Sequence, residues 1–246
     1  MTCVLITGAT SGIGLQLATD YAKEGWSVLA CGRNQSQLDE LAIQYPNITH
    51  VAFDVTDAEQ VHTSFRDLPH FPDLWLLNAG TCEYIENGEM DSTLVKRVMD
   101  VNFYGMLHCI EALQSLLRHG DHVAVVSSIA GEMVLPKSQA YGASKAAISY
   151  VMNVQAAEWA QQGISTSIVY PGFVKTPLTD KNTFDMPMMI PVEEASVKIR
   201  KQLAKRKSHI YVPWIFTAIV RFIALFPYAW QQKLVRKLIK SEGEQS

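Results

Sequence analysis

The fold of this chain is decided by TGATSGIG, residues 7–14, which separates a strand pattern from a helix pattern. The residues before it, Cys3–Ile6, form a short apolar run typical of a buried strand. After it, apolar residues recur with helical spacing at Leu15, Leu17, Ala18 and Tyr21. Glycines allow a tight turn close to a ligand, and a helix start offers N–H groups to a pyrophosphate. The stretch therefore predicts a dinucleotide-binding turn.

Strand and helix patterns alternate after this turn, which predicts a parallel sheet with helices on both faces. The further strand candidates are Ser27–Cys31, His50–Phe53, Leu74–Leu77, His122–Ser127, Ser165–Val169 and His209–Val212. The helix candidates between them include Gln37–Gln44, Ala58–Phe65, Val101–Leu117 and Gln139–Gln161. We expect an α/β, Rossmann-like, doubly wound catalytic domain over residues 1–212 and a helical extension over 213–246. Ligands of such sheets bind at the carboxyl ends of the strands.

Composition excludes several classes of function. The 246 residues carry a net charge of −3, which gives no indication of nucleic-acid binding. Four cysteines, Cys3, Cys31, Cys82 and Cys109, show no metal-ligand spacing, so we expect no metal and a reducing compartment. The predicted first strand begins at the start of the chain without a basic or cleavable leader, so we expect a cytoplasmic protein.

Three residues suggest the chemistry. Tyr141 and Lys145 stand four residues apart in YGASK, so on a helix they share one face. A nearby ammonium favours the phenolate and lowers a tyrosine pKa that starts near ~10. Ser128 lies thirteen residues before Tyr141, where its hydroxyl could hold a substrate oxygen. Such a set suits the interconversion of a carbonyl and an alcohol, although a tyrosine and lysine with this spacing often lie on a surface instead.

The motifs together resemble the short-chain dehydrogenase/reductase family in its simple one-domain form, over roughly residues 1 to 180. The resemblance rests on TGATSGIG at 7–14, Asp54, LNAG at 77–80, Asn102, Ser128, YGASK at 141–145 and PGFVKT at 171–176. It implies a general acid/base role for Tyr141 and a polarising role for Ser128. Lys145 would lower the pKa of Tyr141 and bind the nicotinamide ribose, and Asn102 would support a water-linked proton path to the lysine.

The resemblance also implies a set of cofactor-binding residues. Asp54 would accept a hydrogen bond from the adenine amino group beside the Val55 amide. The NAG turn would hold the adenine ribose side, and PGFVKT would grip the nicotinamide carboxamide. The expected set is Gly8, Thr10, Ser11, Gly12, Ile13, Gly14, Arg33, Asn34, Asp54, Val55, Asn78, Ala79, Gly80, Tyr141, Lys145, Pro171, Gly172, Val174 and Thr176.

The end of the second strand bears on the choice between NADP and NAD. Family members that use NAD usually carry an acidic residue there, where it bonds the ribose 2′-hydroxyl. This chain has Gly32 followed by Arg33 and Asn34, and a guanidinium pairs well with a 2′-phosphate. We therefore expect NADP (NADPH) rather than NAD, although Arg33 could instead stack on the adenine or face solvent. Some NADP-using relatives carry a second basic residue where this chain has Ser11.

Two apolar segments flank the YGASK and PGFVKT motifs and resemble the family's substrate-pocket regions. One holds Met133, Val134 and Leu135, and the other holds Phe184, Met186, Met188, Met189 and Ile190. Flexible methionine side chains suit an adaptable apolar pocket, so we expect a hydrophobic ketone or aldehyde, or its alcohol. Core packing is an equal alternative for Val134 and Leu135. Lys137 and Lys181 are the candidates for an anion clamp.

The tail differs in charge from the body of the chain. Residues 195–241 carry eleven Lys or Arg and no Asp or Glu. An apolar helix is predicted over Trp214–Phe226, too short at ~20 Å to cross a bilayer, and a basic amphipathic helix over Tyr228–Lys240. The extension could lie peripherally on the cytoplasmic face of an anionic membrane, cover the pocket, or form the interface of a homodimer or homotetramer. A nucleotide-sensing regulator and a membrane-docked scaffold remain alternatives to an enzyme.

Overall fold

The computed structural model describes residues 2–181 and 186–243, and these form a seven-stranded sheet whose paired neighbours are all parallel. Its strands are β1 (Cys3–Thr7), β2 (Ser27–Gly32), β3 (Ile48–Ala52), β4 (Leu74–Leu77), β5 (His122–Val126), β6 (Ser165–Pro171) and β7 (His209–Val212). The spatial order is β3-β2-β1-β4-β5-β6-β7. The predicted α/β fold is confirmed, and the predicted strands overlap the observed ones with small shifts at their ends.

Helices connect the strands and cover both faces of the sheet. They are α1 (Gly12–Lys23), α2 (Gln35–Gln44), α3 (Ala58–Arg66), α4 (Ser92–Met99), α5 (Gly105–Gln114), α6 (Gln139–Ala160), α7 (Val192–Leu203), α8 (Trp214–Ala224) and α9 (Tyr228–Gly243). The predicted helix over Val101–Leu117 is confirmed over Gly105–Gln114 but differs at both ends. Asp100–Tyr104 is π-helical, with the Gly105 N–H bonded to the Asp100 carbonyl, and α5 ends three residues early.

Two hydrophobic cores lie on opposite faces of the sheet, because successive strand residues point to opposite sides. Leu5, Trp75 and Val125 face α3, α5 and α6, whereas Val4, Leu76 and Ala124 face α1, α2 and α7. Cys3, Cys31 and Cys109 are buried as free thiols. Burial on both faces fixes the sheet, so the loops at its carboxyl edge stand on a rigid base.

The C-terminal extension follows the last strand directly. The predicted apolar helix is confirmed as α8, which ends two residues before the predicted Phe226, and the predicted basic helix is confirmed as α9. Within residues 2–181 and 186–243, no helix is long and apolar enough to cross a membrane. The side chains of Lys237, Leu238 and Lys240, which the amphipathic pattern includes, lie outside the described ones. The division of the chain into domains at residue 212 stays a prediction.

Candidate active site

A cavity of about 300 Å³ lies at the carboxyl edge of the sheet, at the ends of β1, β4, β5 and β6. The cavity lies between β1 and β4. At this point the strand order reverses, because β2 and β3 extend the sheet on one side of β1 and the later strands extend it on the other. Thirteen of the predicted site residues line it: Gly8, Ser11, Gly12, Ile13, Asn78, Gly80, Ser128, Tyr141, Lys145, Pro171, Gly172, Val174 and Thr176. The structure thus brings three of the four predicted catalytic residues and part of the glycine turn to one cavity.

The remaining predicted residues do not line this cavity. Gly14 and Ala79 lie behind the glycine turn, where a Cβ on Gly14 would come 2.2 Å from the Gly8 carbonyl oxygen. Thr10 packs beside Gly32, since a Cβ added at Gly32 would lie 2.9 Å from the Thr10 methyl group. The other residues outside the lining are Arg33, Asn34, Asp54, Val55 and Asn102.

The glycine turn has the properties of an anion-binding helix start. Gly8 and Gly12 adopt positive φ angles of 67° and 53°, conformations that glycine reaches without strain. Ser11 precedes α1 as its N-cap residue, yet its side chain makes no capping hydrogen bond. The first N–H groups of α1 therefore lack that side-chain partner beside the cavity, where a pyrophosphate would accept from them. The residues present fit a dinucleotide.

Thr7 joins the first and fourth strands beneath the cavity, a role that the sequence analysis missed. The Asn78 and Ala79 N–H groups donate to Thr7 Oγ1 at 2.9 and 3.0 Å, and Asn78 Nδ2 donates to the Thr7 carbonyl at 3.0 Å. These bonds hold the NAG turn against the glycine turn. Threonine at the start of TGATSGIG was the available signal, but nothing in the sequence alone pointed to its partner.

Ser128 lies beside Tyr141, and Ser127 does not take its place. The Ala130 N–H donates to Ser128 Oγ at 3.2 Å, which leaves the serine hydroxyl proton for another acceptor. Ser127 Oγ instead donates to the Lys145 carbonyl at 3.0 Å, inside the contact between β5 and α6. This arrangement agrees with the thirteen-residue spacing that selected Ser128.

Lys145 is buried, with only 3% of its surface exposed. Its Nζ donates to the Val126 carbonyl at 2.9 Å and lies 5.8 Å from the centre of the Tyr141 ring. A Cβ on Gly80 would come 3.3 Å from Nζ, so the glycine of the NAG turn leaves room for the ammonium. Burial lowers the pKa of Lys145 from its ordinary 10.5 to about 8, which still leaves the side chain mainly protonated at neutral pH.

Burial has the opposite effect on the phenol beside it. It raises the pKa of Tyr141 well above the ordinary value, the nearby Cys82 adds to this, and a hydrogen bond with Ser128 offsets only part. In the protein on its own the cost of burying a phenolate therefore dominates the pKa of Tyr141, and its lowering by Lys145 stays a prediction. Burial also raises the pKa of the Cys82 thiol, which does not suit an activated nucleophile.

Asn102 is fully buried in the π-helical segment, and both of its side-chain donor hydrogens are engaged. Its Oδ1 accepts from the Thr81 N–H at 2.7 Å, and its Nδ2 donates to the Thr81 carbonyl at 2.8 Å and to Ser144 Oγ at 3.0 Å. Ser144 in turn donates to the Tyr141 carbonyl at 2.7 Å. Asn102 therefore ties the loop after the NAG turn to the helix that carries Tyr141. Sequence analysis missed Ser144, the residue directly before Lys145 in YGASK.

Arg33 and Asp54 lie together at the ends of β2 and β3. Asp54 Oδ2 accepts from Arg33 at 3.2 Å, while Oδ1 accepts from the Thr56 N–H and hydroxyl at 2.9 and 2.8 Å. Burial alone would raise the pKa of Asp54, but these bonds outweigh it and the pKa is lowered. The Arg33 side chain is 70% exposed, so most of its donors still face solvent. Asn34 caps α2 by accepting from the Gln37 N–H.

The segment after PGFVKT contributes lining residues that the sequence analysis also missed, namely Pro177, Leu178 and Thr179. The Thr179 hydroxyl donates to the Val174 carbonyl at 2.8 Å and accepts from the Thr176 N–H at 2.9 Å. The threonines at both ends of TPLT were the available signal. Phe184 and the side chain of Lys181 lie outside the described residues, and Lys137 forms an ion pair with Glu86 at 2.8 Å.

Comparison with known proteins places this geometry in a family. Residues 2–186 match the family model described as short chain dehydrogenase. An uncharacterized oxidoreductase of Myxococcus xanthus is 30% identical over 243 residues, covering 95% of this chain and 96% of its own. Dehydrogenase/reductase SDR family member 7B of Xenopus laevis is 28% identical, with 98% of this chain and 84% of the relative covered.

The fold comparison agrees with the sequence matches. A short chain dehydrogenase from Burkholderia cenocepacia, solved in complex with NADP, has a TM-score of 0.84 and 25% identity. The match covers 95% of this chain and 97% of the solved one, so it includes the C-terminal part that the family model leaves out. The chain thus belongs to the short-chain dehydrogenase/reductase family and is an oxidoreductase that acts on CH–OH groups with a nicotinamide cofactor.

Proposed function

We propose that the protein is an NADP-dependent oxidoreductase that interconverts a hydrophobic ketone or aldehyde and its alcohol, with Tyr141 as general acid/base. The observation that carries this proposal is the meeting of Ser128, Tyr141 and Lys145 in one cavity with the glycine turn. When bound, the nicotinamide exchanges a hydride with the carbonyl carbon. The protein's own residues supply the proton and the orientation.

In the direction of reduction, the Ser128 hydroxyl donates a hydrogen bond to the substrate oxygen and fixes its position. Tyr141 gives its proton to the same oxygen as negative charge develops there. The Lys145 ammonium stabilises the phenolate that remains, an interaction that strengthens only once the proton has moved. Oxidation of the alcohol reverses these transfers. A raised pKa in the resting protein is compatible with this role, because it keeps Tyr141 protonated as the acid.

Asn102 is proposed as a positioning residue in this scheme. Its bonds to Thr81 and Ser144 hold the helix start that carries Tyr141 against the NAG turn. The water-linked proton path through Asn102 stays a prediction, because the side-chain donors are already used by the protein. The cytoplasmic location and the homodimer or homotetramer likewise stay predictions.

The preference for NADP rests on Arg33. Its guanidinium is exposed beside the cofactor edge of the sheet and spends one donor on Asp54, so further donors remain for a 2′-phosphate. The related Burkholderia cenocepacia structure contains NADP, which supports the same choice. The Asp54 oxygens already accept three hydrogen bonds, so an adenine amino group would have to share them.

Replacing Arg33 with serine should therefore weaken the use of NADPH selectively. We expect kcat/KM with NADPH to fall by about 10- to 100-fold, since a charge-assisted bond is worth ~1.5–3 kcal/mol, and kcat/KM with NADH to change little. Arg66→Ser is the matched control, because Arg66 has 71% of its side chain exposed and also pairs with an aspartate. Equal losses with both cofactors, or a wild-type preference for NADH, would contradict the assignment.

The substrate side of the proposal rests on the two apolar segments. Met133 is buried, Val134 is 37% exposed, and Met188 and Met189 are 47% and 40% exposed. We expect NADPH oxidation with a panel of hydrophobic aldehydes and ketones, with one alcohol formed per NADPH consumed. Tight NADPH binding without turnover of any carbonyl or alcohol would favour the alternatives, a nucleotide-sensing regulator or a membrane-docked scaffold.

The basic C-terminal extension bears on where the protein lies in the cell. The described part of α9 places Lys233 over the Trp230 ring, at 5.7 Å from its centre, and Arg236 is exposed. We propose that the extension holds the enzyme peripherally on the cytoplasmic face of an anionic membrane, which would place the positive charge of residues 213–241 at a negative surface.

A further inference from the structure

The outer side of α8, the connection after it and the start of α9 carry eight exposed large apolar residues, which we call the apolar platform. They are Trp214, Ile215, Ile219, Phe222, Leu225, Phe226, Tyr228 and Trp230, and their exposed fractions run from 42% to 82%. Ile215, Ile219, Phe222 and Phe226 follow helical spacing along one face. Ring contacts from Phe226 to Phe222 at 5.5 Å and to Trp230 at 6.2 Å join the two helices into one surface.

The platform stands on a fixed base. Thr217 and Val220 on the inner side of α8 are buried, and Gln231 of α9 is only 4% exposed. The Gln231 amide donates to the Ala224 and Phe226 carbonyls at 3.2 and 2.8 Å, which closes the turn between the helices. Arg221 forms an ion pair with Glu132 at 3.5 Å. The apolar side chains are thus presented to the outside by an ordered hairpin.

Charge and composition select the occupant of this surface. Residues 213–241 carry five Lys or Arg and no Asp or Glu. A second copy docked face to face would bring two such segments together without acidic partners in either, whereas an anionic bilayer complements them. Tryptophan and tyrosine, which make up three of the eight platform residues, favour the membrane–water interface. An exposed apolar patch of this kind marks an interaction site.

The inner side of α8 contacts the walls of the active site. The ring centres of Phe216 and Phe173 lie 5.1 Å apart. A Cβ added at Gly172 would come 2.6 Å from the Phe216 ring. Val220 packs with Ile129 and Met133, which follow Ser128. One helix, ~10 Å across, therefore separates the platform from Gly172, which lines the cavity, and from the segment that follows Ser128.

We infer that the apolar platform inserts into the interfacial layer of an anionic bilayer, and that the substrate is a carbonyl or alcohol dissolved in that bilayer. Amphipathic helices of this type bury their apolar face to a depth of ~5–10 Å. Insertion brings the segments around Gly172 and Met133 to the membrane surface, so an apolar substrate reaches the cavity without crossing bulk water. This inference rests on the proposed function, to which it adds the surface that enters the bilayer and the source of the substrate.

The test compares two double variants of the full chain. Phe222→Glu/Leu225→Glu places two charges on the platform, where the replaced side chains are 63% and 82% exposed. Met90→Glu/Ile43→Glu is the matched control, with 68% and 83% exposure and the same change in net charge. Because all four positions are exposed, both variants should fold with wild-type melting temperatures.

Three measurements are made on wild type and both variants. They are sedimentation with phosphatidylcholine/phosphatidylserine vesicles, NADPH oxidation with a water-soluble aldehyde, and NADPH oxidation with a long-chain ketone dissolved in the vesicles. We expect wild type and control to sediment with the vesicles, and the platform variant to bind on the order of 100-fold more weakly. Turnover of the soluble aldehyde should be equal in all three proteins, while turnover of the vesicle-bound ketone should fall only in the platform variant.

Several results would overturn the inference. Equal vesicle binding by both variants, or no binding by wild type, removes the membrane contact. A fall in molecular mass that is specific to the platform variant would show that a second copy covers the surface instead. Equal turnover of the vesicle-bound ketone would remove the substrate part. Absence of turnover by wild type with every substrate would contradict the proposed function. Vesicle binding would still test the membrane contact of the platform in that case.

Discussion

Replacing Tyr141 with phenylalanine is expected to lower kcat/KM for NADPH-dependent carbonyl reduction by about 10²–10⁴-fold, the usual contribution of a positioned general acid. The substitution removes one hydroxyl and keeps the ring, so the packing around Ser128 and Lys145 is preserved. The phenol lines the cavity and forms a hydrogen bond with Ser128, so deleting its oxygen removes one hydrogen bond at a half-buried position. Stability should therefore change by no more than about 1 kcal/mol. Initial rates of NADPH oxidation and a thermal melt check both statements.

The matched control for this substitution lies on the same helix. Tyr150 of α6 is 74% exposed, and Tyr150→Phe makes the same chemical change away from the cavity. It should leave kcat/KM within about twofold of wild type, as expected for an exposed position. NADPH binding, followed by the NADPH-induced shift in melting temperature, should survive in both variants. Tyr141→Phe with near wild-type turnover would exclude Tyr141 as the proton donor.

The sheet and its edge were predictable because their signals are local. Cys3–Ile6 is a continuous apolar run, Gly8 and Gly14 mark the turn, and β2 to β5 each end close to a polar residue. Alternation then leaves few arrangements of a parallel sheet. The cavity that joins Ser128, Tyr141 and Lys145 follows from that arrangement, because the carboxyl ends of the strands meet at one edge.

What sequence analysis missed depends on partners far apart in the chain. Thr7 bonds to residues more than 70 positions away, and Asn102 is held by Thr81 and Ser144. The π-helical turn at Asp100–Tyr104 leaves no residue-type signature, so a regular helix was predicted there. The charge of the tail was visible in the sequence, but which side of α8 would face outward depends on its packing against Ile129 and Met133.

The pKa of Tyr141 shows why a pair spacing is not enough. The four-residue spacing correctly places Lys145 and Tyr141 on one helix face, with Nζ 5.8 Å from the ring centre. It contains no information about burial, which here raises the pKa of Tyr141 and lowers that of Lys145, so that both charged forms are disfavoured. At neutral pH the protein therefore carries a buried ammonium, at a cost in stability relative to an uncharged side chain.

Replacing Lys145 with methionine should therefore abolish turnover while making the protein more stable. A pKa of about 8 instead of 10.5 corresponds to ~3 kcal/mol of destabilisation when the lysine is charged, at ~1.4 kcal/mol per unit. Losing the hydrogen bond from Lys145 Nζ to the Val126 carbonyl offsets ~1–2 kcal/mol of this gain. We expect the free energy of unfolding to rise by about 1–2 kcal/mol near pH 7, measured by urea unfolding.

The stability gained by Lys145→Met depends on pH in a direction that follows from the lowered pKa of Lys145. Because the folded pKa lies below the unfolded one, the unfolded chain binds more protons between about 8 and 10.5, and wild-type stability rises with pH across that window. The advantage of Lys145→Met should thus be full at about pH 7 and shrink toward pH 10.5. Lys96→Met, at a side chain that is 73% exposed, should change stability by less than about 0.5 kcal/mol at either pH. A less stable Lys145→Met near pH 7 would mean that Nζ is better accommodated than its burial indicates, and turnover by that variant would exclude Lys145 from the proton chemistry.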